Sequence, residues 1–166
     1  MSHNTDQKQG LLDSWEREHA VTVKVLSAFP DNKLDFKPHE RSRSAKDLMW
    51  TVVYEEKVFV DGVVSGKLDF SSFAPALATK AEILEAFEKI HMEALGKIKN
   101  MSIDDLMKTM PYMEGPKAIV EKPRIGVVWS MIMDQVHHRG QMSVYVRMAG
   151  GKVPSIYGPS ADELWM

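Results

Sequence analysis

Four long segments of the chain carry apolar residues at steps of three and four, and this spacing limits the possible folds. Residues spaced in this way lie on one face of an α-helix. The segments predict helices over residues 7–30, 44–66, 79–99 and 125–149. Each helix has one apolar face to bury, so four of them in 166 residues predict an all-α, four-helix bundle, a single domain over residues 1–166.

The expected ends of these helices carry capping signals. Ser44 with Asp47, and Thr79 with Glu82, are pairs three residues apart of the kind that cap the start of a helix. Gly150 follows the last periodic segment, where a left-handed cap is expected. A glycine inside that last helix, Gly140, is expected to mark the close approach of another helix, because its missing side chain otherwise weakens the helix.

Two segments lack the helical period. Residues 101–123 contain a short helical hint, three prolines and the β-branched "AIV", which indicate irregular and partly extended chain. Residues 152–166 contain two prolines and end in Leu164, Trp165 and Met166. We expect this tail to pack on the bundle or on a partner subunit.

Composition excludes several classes of function. The chain has no cysteine, so thiolate metal sites and cysteine nucleophiles are excluded. A net charge of −2 with dispersed basic residues argues against nucleic acid as a partner. No apolar run approaches the roughly 20 residues of a spanning helix, and the N-terminus does not resemble a signal peptide, so we expect no membrane association and a cytoplasmic location.

The segment "DQVHHRGQ" in the last helix carries a column of polar residues. Asp134, His138, Gln141 and Tyr145 share one face at helical spacing, whereas His137 points elsewhere. Asp134 and His138 have the spacing of two ligands for one cation. The alternative is a hydrogen-bonded column between packed helices, in which Asp134 satisfies His138. Spacing alone favours this alternative, because structural ion pairs outnumber metal centres.

The other candidate residues lie on the first three helices. Glu55 shares a face with Thr51 and has the chemistry of a general base or a ligand, although the run "EEK" is equally typical of a solvated helix face. His19 and His91 lie on apolar stripes. A lone histidine there is more often a satisfied core residue than a ligand.

Two stretches together resemble the DinB family of four-helix proteins, also called DinB/YfiT-like. They are "FPDNKLDFKPHERSRSAKDLMWTVVYEEKVFVDGV" and "HHRGQMSVYVRMAGGKVPSIYGPSADE". The resemblance implies a four-helix bundle, frequent homodimers and a divalent metal held by three histidines. The family name reflects damage-inducible expression, which implies a stress-associated role. Some relatives resemble transferases or isomerases that use low-molecular-weight thiols.

The family pattern can be carried over to this chain one residue at a time. His138 matches the histidine that opens "HRGQ", while Thr51 and Asp134 stand where the family has its other two histidines. A carboxylate still binds a hard or borderline cation, whereas a hydroxyl is a poor neutral ligand. We therefore interpret Thr51, Glu55, Asp134, His138 and Gln141 first as a polar pocket, and Thr51, Asp134 and His138 second as an altered metal site.

Three functions follow as hypotheses. The first is a stress-associated protein that binds a small molecule in this pocket, with no strongly bound metal. The second is a metal-dependent enzyme that uses Zn, Ni or Mn, with S-transferase or isomerase activity on a low-molecular-weight thiol. The third is a dimeric interaction module without catalysis.

Overall fold

The chain folds into four long helices with one short helix and a hairpin between the last two. The computed structural model describes residues 2–165. The elements in chain order are α1 (Ser2–Ser27), α2 (Ala45–Ser65), α3 (Lys80–Asn100), α4 (Ile103–Met107), β1 (Thr109–Gly115), β2 (Ala118–Pro123) and α5 (Arg124–Met148). The predicted all-α fold is confirmed, with a small two-stranded sheet in addition. Within residues 2–165 no helix has the length and apolar character needed to cross a membrane.

The predicted capping signals operate as expected. The Ser44 side chain accepts a hydrogen bond from the Asp47 backbone N–H, and Thr79 and Glu82 form a reciprocal capping box. Gly150 has a φ of 81°, a left-handed conformation that glycine adopts without steric cost. The largest boundary error is in α1, which begins at Ser2 rather than at residue 7 and ends at Ser27 rather than at residue 30.

The segment expected to be irregular and partly extended forms an antiparallel hairpin. Thr109 pairs with Pro123, and Tyr112 pairs with Val120. The Arg124 backbone N–H donates to the Lys108 carbonyl at 2.9 Å. This bond closes the hairpin base against the start of α5, and Met110 of β1 is buried in the apolar core of the bundle.

The apolar core has two halves, and every long helix contributes to both. One half includes Trp15, Val60, Ile98 and Met131. The other half includes Phe29, Val53, Phe87 and Met142. Between these positions the long helices bury several polar residues, and one from each helix joins a connected group: His19, Glu56, His91 and Gln135. We call these four residues the polar layer, because they separate the two apolar halves along the bundle.

The C-terminal tail packs on the bundle through its acidic residues. The Glu163 carboxylate lies 2.8 Å from Lys24 Nζ on α1, and the Asp162 carboxylate lies 2.5 Å from Arg147 Nη2 on α5. The apolar end of the tail is instead exposed at Leu164 and Trp165. Met166 lies outside the described residues.

The expectation for Gly140 is wrong. A Cβ atom at Gly140 would meet no heavy atom within 4 Å in the described part of the chain, apart from its chain neighbours and its own helix backbone. Close approach occurs instead at Gly62, where a Cβ would lie 2.6 Å from Leu68 Cδ2 and 3.1 Å from Leu68 Cα. The chain leaving α2 folds back against Gly62, so its missing side chain has a packing role that Gly140 lacks.

Candidate functional site

Three acidic or imidazole side chains meet between α2 and α5. Glu55 comes from α2, and Asp134 and His138 come from successive turns of α5. Their ligand atoms all lie within 4.8 Å of one another. All three line a cavity of about 810 Å³. This group forms the polar end of the cavity, and we call it the acid–imidazole cluster.

The rest of the cavity wall is mainly aromatic and apolar. The aromatic and apolar lining residues are Trp50, Phe59, Phe70, Phe73, Ala74, Pro75, Ala76, Tyr112 and Met113, and the polar residues Arg43, Asp47 and Thr51 complete the lining. Residues 70–76 come from the connection between α2 and α3, and Tyr112 and Met113 come from β1. Apolar walls with a few convergent polar groups are typical of small-molecule sites.

Glu55 is a buried carboxyl group with an unsatisfied oxygen. It is 4% exposed, and its Oε1 has no hydrogen-bond partner among residues 2–165. Burial is the main cause that raises the pKa of Glu55 well above its ordinary value, and the adjacent Asp134 carboxylate raises it further. Both effects disfavour a second negative charge beside Asp134. The arrangement therefore favours either a proton on Glu55 or a cation between the two carboxyl groups.

His138 is oriented by Gln141 rather than by Asp134. His138 Nδ1 lies 2.9 Å from Gln141 Oε1, and the Gln141 amide nitrogen lies 3.1 Å from His137 Nε2. Because an amide oxygen only accepts, Nδ1 of His138 carries the hydrogen. Nε2 lies 3.8 Å from Asp134 Oδ1. That distance is within the range of an ion pair but too long for a hydrogen bond, so Gln141 rather than Asp134 fixes the His138 ring by hydrogen bonding.

Thr51 lines the same cavity, but its hydroxyl is engaged locally. The hydroxyl donates to the Asp47 carbonyl at 2.8 Å and accepts from Arg43 Nη1 at 2.9 Å. The structure thus brings Thr51, Glu55, Asp134 and His138 to one cavity. Gln141 lines an adjoining cavity of about 380 Å³ instead.

The polar layer contains a second group of side chains with metal-ligand chemistry. Ligand atoms of His19, Glu56 and His91 all lie within 4.8 Å of one another, and all three residues are buried. The interpretation of His19 and His91 as core residues agrees with this burial. Of the two adjacent glutamates in the run "EEK", Glu55 is the better candidate from the sequence, yet Glu56 is the one in the polar layer, together with Gln135, which the sequence does not indicate. The spacing of Glu56 from the buried residues Val52 and Val63 is the signal that places it on the core face.

Arg139 in the "HRGQ" motif has a structural position. It is 1% exposed, and its Nη1 lies 2.7 Å from the Glu18 carboxylate. The same guanidinium donates to the Tyr157 hydroxyl in the tail. Arg139 therefore joins α5, α1 and the tail, away from the cavity lining.

Known proteins support the fold and the family. YrdA of Bacillus subtilis, an uncharacterized protein, is 27% identical over 157 residues, which cover 92% of this chain and 89% of YrdA. A DinB-like protein from Bacillus cereus superposes with a TM-score of 0.76 at 24% identity, covering 90% of this chain and 97% of that protein. The DinB-like protein YjoA from Bacillus subtilis gives a TM-score of 0.72 at 15% identity, covering 89% and 97% respectively.

The two solved structures share the fold with this protein. The sequence model of the DinB family matches residues 1–164, which is almost the whole chain. The match includes α2 and α5, which carry the acid–imidazole cluster. The chain therefore belongs to the DinB family.

Proposed function

We propose that the protein binds a small organic molecule in the cavity of about 810 Å³. The observation that carries this proposal is that the acid–imidazole cluster and a wall with five aromatic side chains, Trp50, Phe59, Phe70, Phe73 and Tyr112, line the same cavity. Such a wall contributes non-directional binding energy, while a few polar groups fix the orientation of the ligand. A stress-associated role for this binding stays a prediction.

The side chains indicate the chemistry of the ligand. The aromatic residues favour an apolar or planar portion, and the Asp134 carboxylate, whose side chain is 46% exposed, favours a hydrogen-bond donor or a cationic group. Arg43 also lines the cavity and supplies a guanidinium for a ligand carboxylate. A low-molecular-weight thiol with charged groups of both signs would match these two residues.

A second candidate is a metal-dependent enzyme, and the buried, unpaired Oε1 of Glu55 favours it. Two carboxylates and one imidazole suit Zn, Mn or Ni. In this arrangement Glu55, rather than Thr51, would complete the ligand set with Asp134 and His138. The cation would supply Lewis-acid polarisation of a bound group. Gln141 would hold the His138 ring so that Nε2 faces the ligand.

Binding is tested with untagged protein treated with a chelator. A library of small thiols and aromatic acids or amines is screened by thermal shift, and calorimetry follows with and without Zn²⁺ or Mn²⁺. We expect Phe73→Ala to weaken binding by removing part of the wall, and Asp134→Asn to weaken it by removing the charge. Ile119→Ala, at an exposed hairpin position outside the cavity lining, is the control.

The outcomes separate the two candidates. The small-molecule proposal is supported if the ligand binds without metal and if Phe73→Ala and Asp134→Asn both weaken this binding. Ligand binding only after metal is added, and lost in Glu55→Gln, supports the metal-dependent enzyme. Equal binding by the wild-type protein and the cavity variants would place the ligand elsewhere. The homodimer and the transferase or isomerase reaction stay predictions.

A further inference from the structure

The polar layer is a connected group in the middle of the bundle. His91 Nδ1 lies 2.7 Å from Glu56 Oε1. The Gln135 amide nitrogen donates to Glu56 Oε2 at 2.8 Å and to the Val52 carbonyl at 3.0 Å. The Glu56 carboxylate is therefore held between α3 and α5. An imidazole on one side and an amide on the other fix its orientation.

His19 is the member of this layer without a hydrogen-bonded role. It is 6% exposed, yet neither ring nitrogen has a hydrogen-bond partner in the part of the chain that the structure describes. Its ring stacks on His91 with centroids 3.7 Å apart and planes 8° from parallel. Buried polar groups in native proteins are nearly always satisfied, so each exception calls for an explanation.

The surroundings of His19 keep its ring neutral and near carboxylates. Burial is the main cause that lowers the pKa of His19, and the neighbouring His91 lowers it further, while the carboxylates of Glu56 and Glu88 act in the opposite direction without reversing the shift. A neutral imidazole has a lone pair for a metal ion. Nε2 lies 3.4 Å from the Glu88 carboxylate, although the contact lacks hydrogen-bond geometry. Glu88 is at the surface, with its side chain 56% exposed, so it lies between solvent and the buried ring.

We propose that His19, Glu56 and His91 bind a divalent transition-metal ion such as Zn²⁺ inside the bundle, with Glu88 as the fourth ligand. The ligand atoms of the first three residues already lie within 4.8 Å of one another. Glu88 and His91 are three residues apart on α3 and share a face, the Glu-x-x-His spacing that supplies metal ligands in some helical bundles.

Charge and supporting contacts favour this ligand set. Two carboxylates and two neutral imidazoles balance the charge of a divalent cation, which lowers the cost of burying it. Gln135 would act as a supporting residue, because its amide donates a hydrogen bond to the Glu56 carboxylate and orients it, as outer hydrogen-bonding groups orient ligands in metal sites. A bound ion would also satisfy the otherwise unpaired nitrogen of His19.

Binding would require one ring to leave the stack. Two parallel rings at 3.7 Å cannot both direct an in-plane lone pair at one ion. His91 is held by Glu56 at 2.7 Å, whereas the His19 nitrogens form no hydrogen bonds within the described chain. His19 is therefore the ring that would turn when an ion binds.

This proposal is independent of the proposed function of the cavity. Glu55 lines the cavity, and Glu56 belongs to the buried core group. Variants in the acid–imidazole cluster and in the polar layer therefore separate the two possible cation sites. If one of the two sites does not bind metal, the test of the other site is unaffected.

The test uses untagged, chelator-treated protein titrated with Co²⁺ and Zn²⁺. The starting protein is the Glu55→Gln, Asp134→Asn double variant, in which the cavity has lost both carboxylates. We expect one equivalent of metal to bind, with visible Co²⁺ absorbance typical of nitrogen and oxygen ligands. Adding His19→Gln and His91→Gln should abolish this equivalent. An unchanged stoichiometry in a folded His19→Gln, His91→Gln protein would overturn the proposal.

A surface variant gives a second test that does not disturb the core. Glu88→Gln should weaken Zn²⁺ affinity on the order of 10-fold or more, whereas Glu85→Gln, at an exposed position on the same helix, should leave it unchanged. Bound Zn²⁺ should also raise the melting temperature in the Glu85→Gln protein, because a ligand of the native state stabilises it. Equal Zn²⁺ affinities in both variants, or no binding by the starting protein, would overturn the site.

Discussion

At the scale of the residue, two adjacent glutamates in α2 have different environments. Successive helical residues point about 100° apart, so Glu55 lines the cavity while Glu56 enters the polar layer. Glu56 accepts hydrogen bonds from Gln135 and lies 2.7 Å from His91, whereas Glu55 has an unpaired oxygen among the described residues. The two glutamates therefore differ in their effect on stability, because only the Glu56 carboxylate has hydrogen-bond partners for both of its oxygens within residues 2–165.

Glu55→Gln should make stability less dependent on pH. Because the pKa of Glu55 is raised in the folded protein, its favourable contribution is complete below the unfolded value of about 4.3 and is lost as pH rises through the folded pKa. The variant should have a higher free energy of unfolding than wild type at pH 8, because its amide carries no charge to bury beside Asp134. The two proteins should converge near pH 4.

Denaturant unfolding with a chelator present measures this difference. Asp134→Asn is the matched variant, since it removes the neighbouring charge that also raises the pKa of Glu55. Asp134→Asn should also raise the free energy of unfolding at pH 8, but by less than Glu55→Gln does. A Glu55→Gln protein less stable than wild type at pH 8 would mean that the Glu55 carboxylate has a stabilising partner, against the arrangement described above.

At the scale of the element, the helices are predictable and the hairpin is not. Helical periodicity and caps such as Thr79 with Glu82 are local, so α2, α3 and α5 begin and end within one residue of their predicted positions. The strands depend on pairing across the hairpin, for example Tyr112 with Val120. No local spacing encodes that pairing.

The contrast between Gly140 and Gly62 gives a prediction for α5 and α2. Gly140→Ala adds a methyl group into space, so it should stabilise the protein by about 0.5 to 1 kcal/mol through helix propensity. Gly62→Ala should destabilise it, because the new Cβ would lie 3.1 Å from Leu68 Cα and 3.2 Å from the Lys67 carbonyl oxygen. Backbone atoms move less readily than a side-chain end.

Thermal unfolding of the two alanine variants provides the measurement. Gly96→Ala is the control, because a Cβ at Gly96 also meets no heavy atom within 4 Å among the residues described. It should behave like Gly140→Ala. Destabilisation by Gly140→Ala would instead support the close approach of another helix that the sequence predicts at this position.

At the scale of the whole molecule, the tail and the candidate site depend on contacts between distant segments. Glu163 reaches Lys24 across the molecule, and Arg139 connects α5 with Glu18 on α1. The spacing within α5 predicts that Asp134 and His138 share one face. Glu55 meets them only because α2 packs on α5, which the spacing within one helix does not predict. The polar layer escaped prediction for the same reason, because its four residues come from four helices.

The attachment of the tail should depend on pH. Hydrogen bonds from Lys24 and then from Ser155 lower the pKa of Glu163 to about 2. A lowered pKa means that this contact stabilises the tail above the unfolded value of about 4.3 and is lost as pH falls through about 2. Glu163→Gln should therefore speed amide exchange at Ser155, whose N–H donates to Glu163 Oε2 at 2.8 Å.

Hydrogen exchange of the Ser155 amide in both proteins checks this expectation. The difference between wild type and Glu163→Gln should be present at pH 6 and should shrink as pH falls toward 2. Glu121→Gln, at an exposed position on the hairpin, is the control. Equal exchange rates at pH 6 would show that the tail is held without this carboxylate.

The composition of the cavity wall has a consequence for how the protein can diverge. The polar end lies on packed helices, whereas Phe70, Phe73 and Tyr112 come from the α2–α3 connection and the hairpin. Substitutions at exposed positions of these segments, such as Phe70 and Phe73, would change the shape of the cavity without removing a side chain from either apolar half of the bundle. Sequence changes in these two connecting segments would therefore alter ligand preference during evolution. Selection for stability would continue to act on the helices.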